Sequence, residues 1–134
     1  LVYSSENSND LVTITGNSDP YTLIQNSRKV VSFNSTTIIE AAVLGKPVIV
    51  PMFEEARTIH KNFVMYSEGK NYLNFAASEK SFKDCLLAKD ENLIRNTIEN
   101  KKFRKYAESI LGSLDGKNSK RYEDYLVNIS LKRV

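Results

Sequence analysis

Short apolar runs alternate with polar, turn-forming segments through the first half of the chain. Leu11–Thr15 is rich in β-branched residues and is followed by the turn sequence Gly16–Pro20, which predicts a strand and then a loop. Lys29–Phe33 and Val48–Val50 are the next apolar runs, and prolines bound the second, as expected for a central strand that is covered on both faces. We therefore expect three strands within about forty residues.

Helices are predicted between these strands and along the second half of the chain. Asp19 is a suitable cap for a helix over Pro20–Asn26, because proline fits the first position of a helix. The polar cluster Asn34–Thr37 leads into a helix that continues through Leu44, and Gly45 ends it. Strands that alternate with helices predict an α/β fold with a parallel sheet. The remaining elements are predicted as helices at about 55–67, 79–88, 91–111 and 119–131, with an extended segment at Tyr72–Phe75 and a linker at Leu114–Asn118.

Length and composition indicate one ordinary soluble domain. The chain has 134 residues, of which 41% are apolar and 26% are charged, and this is enough to bury a core. No stretch of the sequence approaches the roughly 20 apolar residues that cross a bilayer. The first residues carry neither the basic nor the apolar region of a signal peptide, so we expect a cytoplasmic protein.

Single copies of cysteine and histidine limit the metal chemistry. Cys85 is the only cysteine, which excludes an internal disulfide and a multi-cysteine metal site, and we expect it to pack in a helix. His60 is the only histidine, which excludes a histidine-based metal cluster, and we expect a surface or packing role for it. No metal or cofactor held by this chain is expected.

The charge is modest but unevenly distributed. A net charge of +3 is too small to indicate nucleic-acid binding, so no nucleic-acid partner is expected. Residues 95–121 nevertheless hold eight basic side chains against three acidic ones. Such a run usually forms a solvated helix face. The alternative is adhesion to anionic lipid head groups at the inner face of a membrane.

The hydroxyl-rich loop Asn34–Thr37 carries the clearest chemical signal. In parallel α/β sheets, ligands bind at the carboxyl ends of the strands, where this loop would lie. The helix that follows presents unpaired N–H groups and about half a positive charge at its start. The hydroxyls of Ser35, Thr36 and Thr37 add further donors without bulk. The expected ligand is therefore an anion, such as a phosphate or a diphosphate.

Glu40 is the unusual residue of this predicted helix, because its neighbours along the sequence are apolar. A carboxylate in such surroundings must be hydrogen-bonded, and the two hydroxyls of a ribose are a suitable bidentate partner. A capping box is the alternative, since Thr37 and Glu40 have the required spacing and Glu40 would then bond the Thr37 N–H. The residues alone leave both interpretations open.

The sequence STTIIEAAVLGKPVI over residues 35–49 resembles the donor-binding motif of glycosyltransferases with the GT-B fold. The shared core is Glu40, four intervening residues, Gly45, one residue and Pro47. Similar motifs occur in capsule polysaccharide transferases, in UDP-N-acetylglucosamine 2-epimerases and in CDP-glycerol glycerophosphotransferases. The clear resemblance covers about residues 11–53.

Two departures favour the polysaccharide transferases within this group. The epimerases have two glycines where Thr36 and Thr37 stand. The glycerophosphotransferases typically show aspartate-tyrosine-serine-serine where this chain has Phe33–Thr36. An epimerase-like or glycerophosphotransferase-like fragment remains the alternative within the resemblance, and a non-catalytic α/β interaction module is the alternative outside it.

The resemblance implies a Rossmann-like, three-layer α/β/α domain with a parallel sheet, forming a partial C-terminal half of a GT-B enzyme. This domain is expected over residues 1–113, and residues 114–134 are expected to form a linker and a C-terminal helix that packs on it or on an N-terminal domain. The implied substrate-binding residues are Ser35, Thr36 and Thr37 at the diphosphate and Glu40 at the ribose, with Asn34 in the same loop and Gly16 in a loop that commonly borders the base. Arg57 is a further candidate, because it follows the strand that ends at Pro51.

The resemblance also implies the partners. The substrate is a nucleotide sugar, and the catalytic residues are expected in an N-terminal domain that this chain does not contain. The acceptor is expected to be lipid-linked, which would place the enzyme in the cytoplasm or peripherally at the membrane. By this interpretation the chain binds the sugar donor for capsule or other surface polysaccharide synthesis and is inactive alone.

Overall fold

The computed structural model describes residue 16 and residues 18–59 and 67–131. Within this part of the chain, three parallel strands and six α-helices form a small α/β fold with an open sheet. The predicted strand Leu11–Thr15 lies outside the described residues, and so does His60. In chain order the elements are α1 (Pro20–Asn26), β1 (Val30–Val31), α2 (Thr37–Val43), β2 (Val48–Pro51), α3 (Glu55–Thr58), β3 (Asn74–Ala76), α4 (Glu79–Leu87), α5 (Lys101–Leu111) and α6 (Asn118–Leu131), with 3-10 helices at Ser67–Asn71 and Asp90–Asn92.

The sheet has the order β1-β2-β3, and both neighbouring pairs are parallel. Val30 lies beside Val48, and Val50 lies beside Phe75. These four side chains belong to or pack against one buried cluster, so they share a face of the sheet. Ile49 points to the opposite face and is also fully buried. The prediction of a parallel sheet with a central strand buried on both faces is therefore confirmed.

Helices α2 and α5 cover the first face. Four residues of α2 are fully buried there, and α5 contributes the fully buried Phe103 and Ala107. Burial of a side chain as large as Phe103 contributes roughly 1.5–3 kcal/mol to the stability of the folded state. Gly45 follows α2 with a φ of +72°, a left-handed conformation that suits glycine at the end of a helix. The buried α2 residues are Ile38, Ile39, Ala41 and Ala42.

Helix α4 contacts β2 and β3 but adds no residue to that cluster, so it covers the opposite face. It begins as predicted, because Ser78 and Ser81 form a reciprocal capping box. Its C-terminal end is held by Lys29, whose Nζ donates to the carbonyl oxygens of Leu86 at 2.7 Å and Ala88 at 2.5 Å. Cys85 is half-buried in this helix, consistent with the packing role expected for it.

The helix predicted over 91–111 is wrong in its first ten residues, since α5 begins only at Lys101. Two buried asparagine side chains hold the preceding segment in an extended form. Asn74 donates to the carbonyl oxygen of Ile94 at 3.1 Å and accepts from its N–H at 2.8 Å. Asn96 donates to the carbonyl oxygen of Tyr72 at 2.6 Å. These long-range bonds compete successfully with local helix formation.

Two other predicted elements are shorter in the structure. The strand expected over Lys29–Phe33 is confined to β1. The helix expected over 55–67 is confirmed only as α3, and residues 60–66 lie outside the described residues. Among the described residues, no helix combines the length and apolarity needed to span a membrane.

Helix α6 is the least buried element. The aromatic rings of Tyr122 and Tyr125 are both more than half exposed. Its start is fixed by Arg121, whose guanidinium binds the Asp115 carboxylate with both terminal nitrogens. This interaction, with the N–H of Lys117, lowers the pKa of Asp115 well below its usual value.

Candidate functional site

The hydroxyl-rich loop lies at the carboxyl edge of the sheet, as predicted. It follows β1 directly, and the N–H of Ser32 still donates to the carbonyl oxygen of Ile49 at 3.2 Å before the chain leaves the sheet. The loop Met52–Glu54 leaves the neighbouring strand β2 at the same edge. Two loops at adjacent strand ends form the usual position of a ligand site in such sheets.

Both loops contain a residue with an unusual backbone conformation. Asn34 has a φ of +49° and Glu54 a φ of +50°, and these are the positive-φ residues other than glycine in the described part of the chain. Asparagine enters this region readily, but glutamate does so at a cost of about 1–3 kcal/mol. Because the rest of the fold must impose the Glu54 conformation, the carboxyl edge is where backbone strain is concentrated.

The hydroxyls of the loop already bond to one another. The Ser35 hydroxyl donates to Thr37 Oγ1 at 3.0 Å and accepts from the Thr37 N–H at 3.3 Å. Thr36 is the N-cap residue of α2, and its exposed side chain makes no capping hydrogen bond. A ligand that binds here would therefore meet the Thr36 hydroxyl first and would compete for the hydroxyls of Ser35 and Thr37.

The expectation of unpaired N–H groups at the start of the helix is wrong. The N–H of Ile38 donates to the carbonyl oxygen of Ser35 at 3.1 Å, and those of Ile39 and Glu40 donate to the carbonyl oxygen of Thr36 at 2.9 and 3.1 Å. The chain enters α2 through a tight turn that uses these donors. The hydroxyl groups, and not the helix backbone, are thus the principal donors that this loop offers.

Glu40 is exposed, so the expectation that apolar surroundings require a hydrogen-bonding partner for its carboxylate is wrong. Successive residues of a helix are about 100° apart. Ile38, Ile39 and Ala42 therefore cluster on the buried side of α2, and Glu40 points away from them. The capping box is also excluded, because Thr36 and not Thr37 is the N-cap residue. The Glu40 carboxylate lies in the first turn, where it interacts favourably with the helix dipole.

The two further candidates are less closely tied to the loop. Arg57 is exposed on the short helix α3, and its backbone N–H donates to the carbonyl oxygen of Glu54 at 3.0 Å. Gly16 is exposed, and a Cβ atom built there would meet nothing within 4 Å of the described atoms. Arg57 therefore follows the second loop of the edge, whereas the structure brings no group against Gly16.

A small cavity between Phe33 and the loop Met52–Glu54 was not predicted from the sequence. Its volume is about 330 Å³, and Phe33 and Phe53 line it together with the strained Glu54. The Phe53 ring also packs against Phe82 of α4, with ring centroids 5.9 Å apart. These residues could have been predicted from their position after the strands, because Phe53 follows β2 at the same edge at which Phe33 follows β1.

Comparison of the chain with protein-family models, with curated proteins and with solved structures finds no significant match in any of the three. Among the described residues, no three histidine, cysteine, aspartate or glutamate side chains are grouped as metal ligands. The loop itself and the motif in its sequence are therefore the features that point to a function.

Proposed function

We propose that this chain is the nucleotide-sugar-binding part of a glycosyltransferase of surface polysaccharide synthesis, with a Rossmann-like domain of the GT-B type. The observation that carries the proposal is the exposed Glu40 carboxylate one turn after a loop of three hydroxyl residues, at the carboxyl edge of a parallel sheet. The parallel sheet and the motif over residues 35–49 support the same assignment.

The loop and the helix have different tasks in this proposal. The hydroxyls of Ser35, Thr36 and Thr37 donate to the diphosphate and hold it as the sugar departs. Glu40 accepts hydrogen bonds from the two ribose hydroxyls, a charge-assisted pair that fixes the nucleoside. Asn34 gives the loop its sharp bend, since it adopts the left-handed conformation directly after Phe33. Positioning is thus the contribution of this chain, and the catalytic base comes from another domain.

Titration calorimetry with UDP, CDP, GDP and CMP-linked ligands tests the proposal. We expect one of these nucleotides to bind the wild-type chain and Glu40→Ala to weaken that binding about 10- to 100-fold, the value of a lost charged hydrogen bond. Glu91→Ala is the matched control, because Glu91 is also exposed but lies beyond α4, away from the loop. Failure of all four nucleotides to bind would remove the proposal.

The panel also separates the related enzymes. UDP-N-acetylglucosamine and CDP-glycerol, added to the same titration, represent the epimerase-like and glycerophosphotransferase-like alternatives. Preference for CDP-glycerol over CDP would favour the second of these, and preference for UDP-N-acetylglucosamine would leave the transferase and the epimerase to be separated by assay of the whole enzyme.

A non-catalytic α/β module is the competing function, and the internal pairing of Ser35 with Thr37 favours it. By that interpretation the loop is only the entry to α2, and the basic side chains of residues 95–121 bind a partner. Thermal melting distinguishes the two functions, because a ligand that binds the folded state raises the melting temperature. A nucleotide-dependent rise in the wild type, absent in Glu40→Ala, contradicts the competing function.

A further inference from the structure

A second cavity lies away from the carboxyl edge, against helix α5. It has a volume of about 440 Å³. Lys102 and Lys105 line it from α5, while Glu68 and Asn71 line it from the 3-10 helix that precedes β3. We call this cavity the α5 groove. Because Asn71 and Tyr72 come just before β3, the groove lies at the amino end of that strand, opposite the edge that carries the hydroxyl loop.

The two lysines of the α5 groove are not neutralised by the described part of the chain. Neither side chain forms an ion pair or hydrogen bond among the described residues. No acid stands four residues away from either lysine, since Ile98 and Lys101 occupy the positions four residues before them and Tyr106 and Ser109 the positions four residues after. Three basic residues on α4 and α5 have an acidic partner at this spacing. The pairs are Lys80 with Asp84 at 2.8 Å, Lys83 with Glu79 at 2.6 Å and Arg104 with Glu108 at 3.0 Å.

The position of Lys102, the second residue of α5, is also unfavourable. The helix begins at Lys101, and its first turn contains no acidic residue. Positive charge near the N-terminus of a helix is repelled by the helix dipole. Glu68 is the single carboxylate that lines the groove, so the lining keeps a net positive charge. A residue pattern that opposes local stability is expected where a ligand supplies the missing charge.

The floor of the groove is rigid and aromatic. The rings of Tyr72 and Tyr106 stack with centroids 5.0 Å apart. The Tyr72 ring also packs on the fully buried ring of Phe103, with centroids 5.5 Å apart. Gly69 permits this arrangement, since a Cβ atom there would lie 2.5 Å from Tyr106 Oη. The lysines thus belong to a helix that packs firmly on the aromatic floor. The cavity between them and Glu68 is open to solvent.

We propose that the α5 groove binds a phosphate group through Lys102 and Lys105. Two ammonium groups three residues apart on one helix face can contact the same anion. The phosphate belongs either to a lipid head group or to a soluble molecule, and both sources present the same charge to the lysines. This site is independent of nucleotide binding at the carboxyl edge.

Vesicle sedimentation and a phosphate titration separate the two sources. The first arm compares vesicles of phosphatidylglycerol and phosphatidylcholine in equal parts with vesicles of phosphatidylcholine alone. The second arm adds inorganic phosphate and follows the backbone amide resonances by nuclear magnetic resonance (NMR). The test variant is Lys102→Gln/Lys105→Gln, and the control Lys89→Gln/Lys117→Gln removes the same charge from two exposed lysines that do not line the groove.

We expect binding in at least one arm and a loss of about 30-fold in the test variant, the effect of removing two basic residues from contact with anionic phosphate. The control should lose less than about threefold, because charges outside the groove are screened. Binding to phosphatidylglycerol alone identifies a lipid head group, and saturable amide shifts with phosphate alone identify a soluble ligand. Equal losses in both variants, or no binding in either arm, overturn the proposal.

Discussion

The hydroxyl loop after β1 and the α5 groove are both suited to an anion, but they are built in opposite ways. The loop offers neutral donors that already bond to one another, with an exposed carboxylate on the following turn. The groove offers two ammonium groups against one carboxylate, that of Glu68, and so keeps a net positive charge. A site of neutral donors selects by shape and hydrogen-bond geometry, whereas a site of exposed charges selects mainly by charge. Nucleotide binding at the loop should therefore depend less on salt than phosphate binding in the groove.

The largest expected effect comes from the core that the two regions share. Phe103→Ala removes the fully buried ring beneath Tyr72 and should lower the free energy of unfolding by about 3–5 kcal/mol. Denaturant unfolding measures this loss. Tyr125→Ala, which truncates an exposed ring on α6, is the control and should change stability by less than about 0.5 kcal/mol. A core shared by both regions predicts that amide protection falls in α2 as well as α5, and unchanged protection in α2 would show two independent units.

The next largest effect tests how the segment before α5, the helix that carries the groove lysines, is held in place. Asn74→Ala removes three hydrogen bonds, two of them to the backbone of Ile94 in the segment that leads to α5. The unfolding free energy should fall by about 1–3 kcal/mol, since buried polar groups lose their partners. Asn92→Ala alters an exposed asparagine and should stay within about 0.5 kcal/mol of the wild type. Equal stability of the two variants in denaturant titration would contradict the role of Asn74.

A gain in stability is expected at the carboxyl edge. Glu54→Gly removes the side chain from a residue with a φ of +50° and should raise the unfolding free energy by up to about 1 kcal/mol, because glycine adopts this conformation without strain. Ala56→Gly is the control of opposite sign, since Ala56 lies inside α3 and glycine in place of alanine weakens a helix by about 1 kcal/mol. Loss of stability in both variants, measured by thermal unfolding, would show that Glu54 is not strained.

The smallest expected effect separates function from folding at Glu40. Glu40→Gln should lower the unfolding free energy by less than about 0.5 kcal/mol, because the exposed carboxylate contributes only through the helix dipole. Chemical denaturation at neutral pH measures this difference. A loss of several kcal/mol would mean that Glu40 has a structural partner, and weakened nucleotide binding would then no longer indicate a contact with ribose.

Local signals in the sequence predicted several element boundaries correctly. Asp19 caps α1 by accepting from the Thr22 N–H at 2.9 Å, and Ser78 caps α4. Gly45 follows α2 as expected. In each case the residues that decide the boundary are within a few positions of it, so the pattern is visible along the chain.

The features that the sequence did not predict depend on residues that are distant in the chain or on which side of a helix faces the sheet. The late start of α5 is set by Asn74, twenty residues before Ile94 in the chain. The exposure of Glu40 depends on which side of a short helix faces the sheet, and apolar neighbours alone do not reveal that. The cavity between Phe33 and Phe53 arises only when β1 and β2 pair. Such contacts are products of tertiary packing.

An NMR titration of the chain with UDP, followed through its backbone amides, tests the central claim most directly because it reports on both regions at once. We predict saturable shifts at Ser35, Thr36 and Glu40, and the same shifts in Lys102→Gln/Lys105→Gln, in which the α5 groove can no longer bind the diphosphate. CDP or GDP replaces UDP in the same titration if calorimetry shows a preference for another base. Shifts confined to the α5 groove, or none with any nucleotide, would contradict the assignment of the hydroxyl loop as a nucleotide-sugar site.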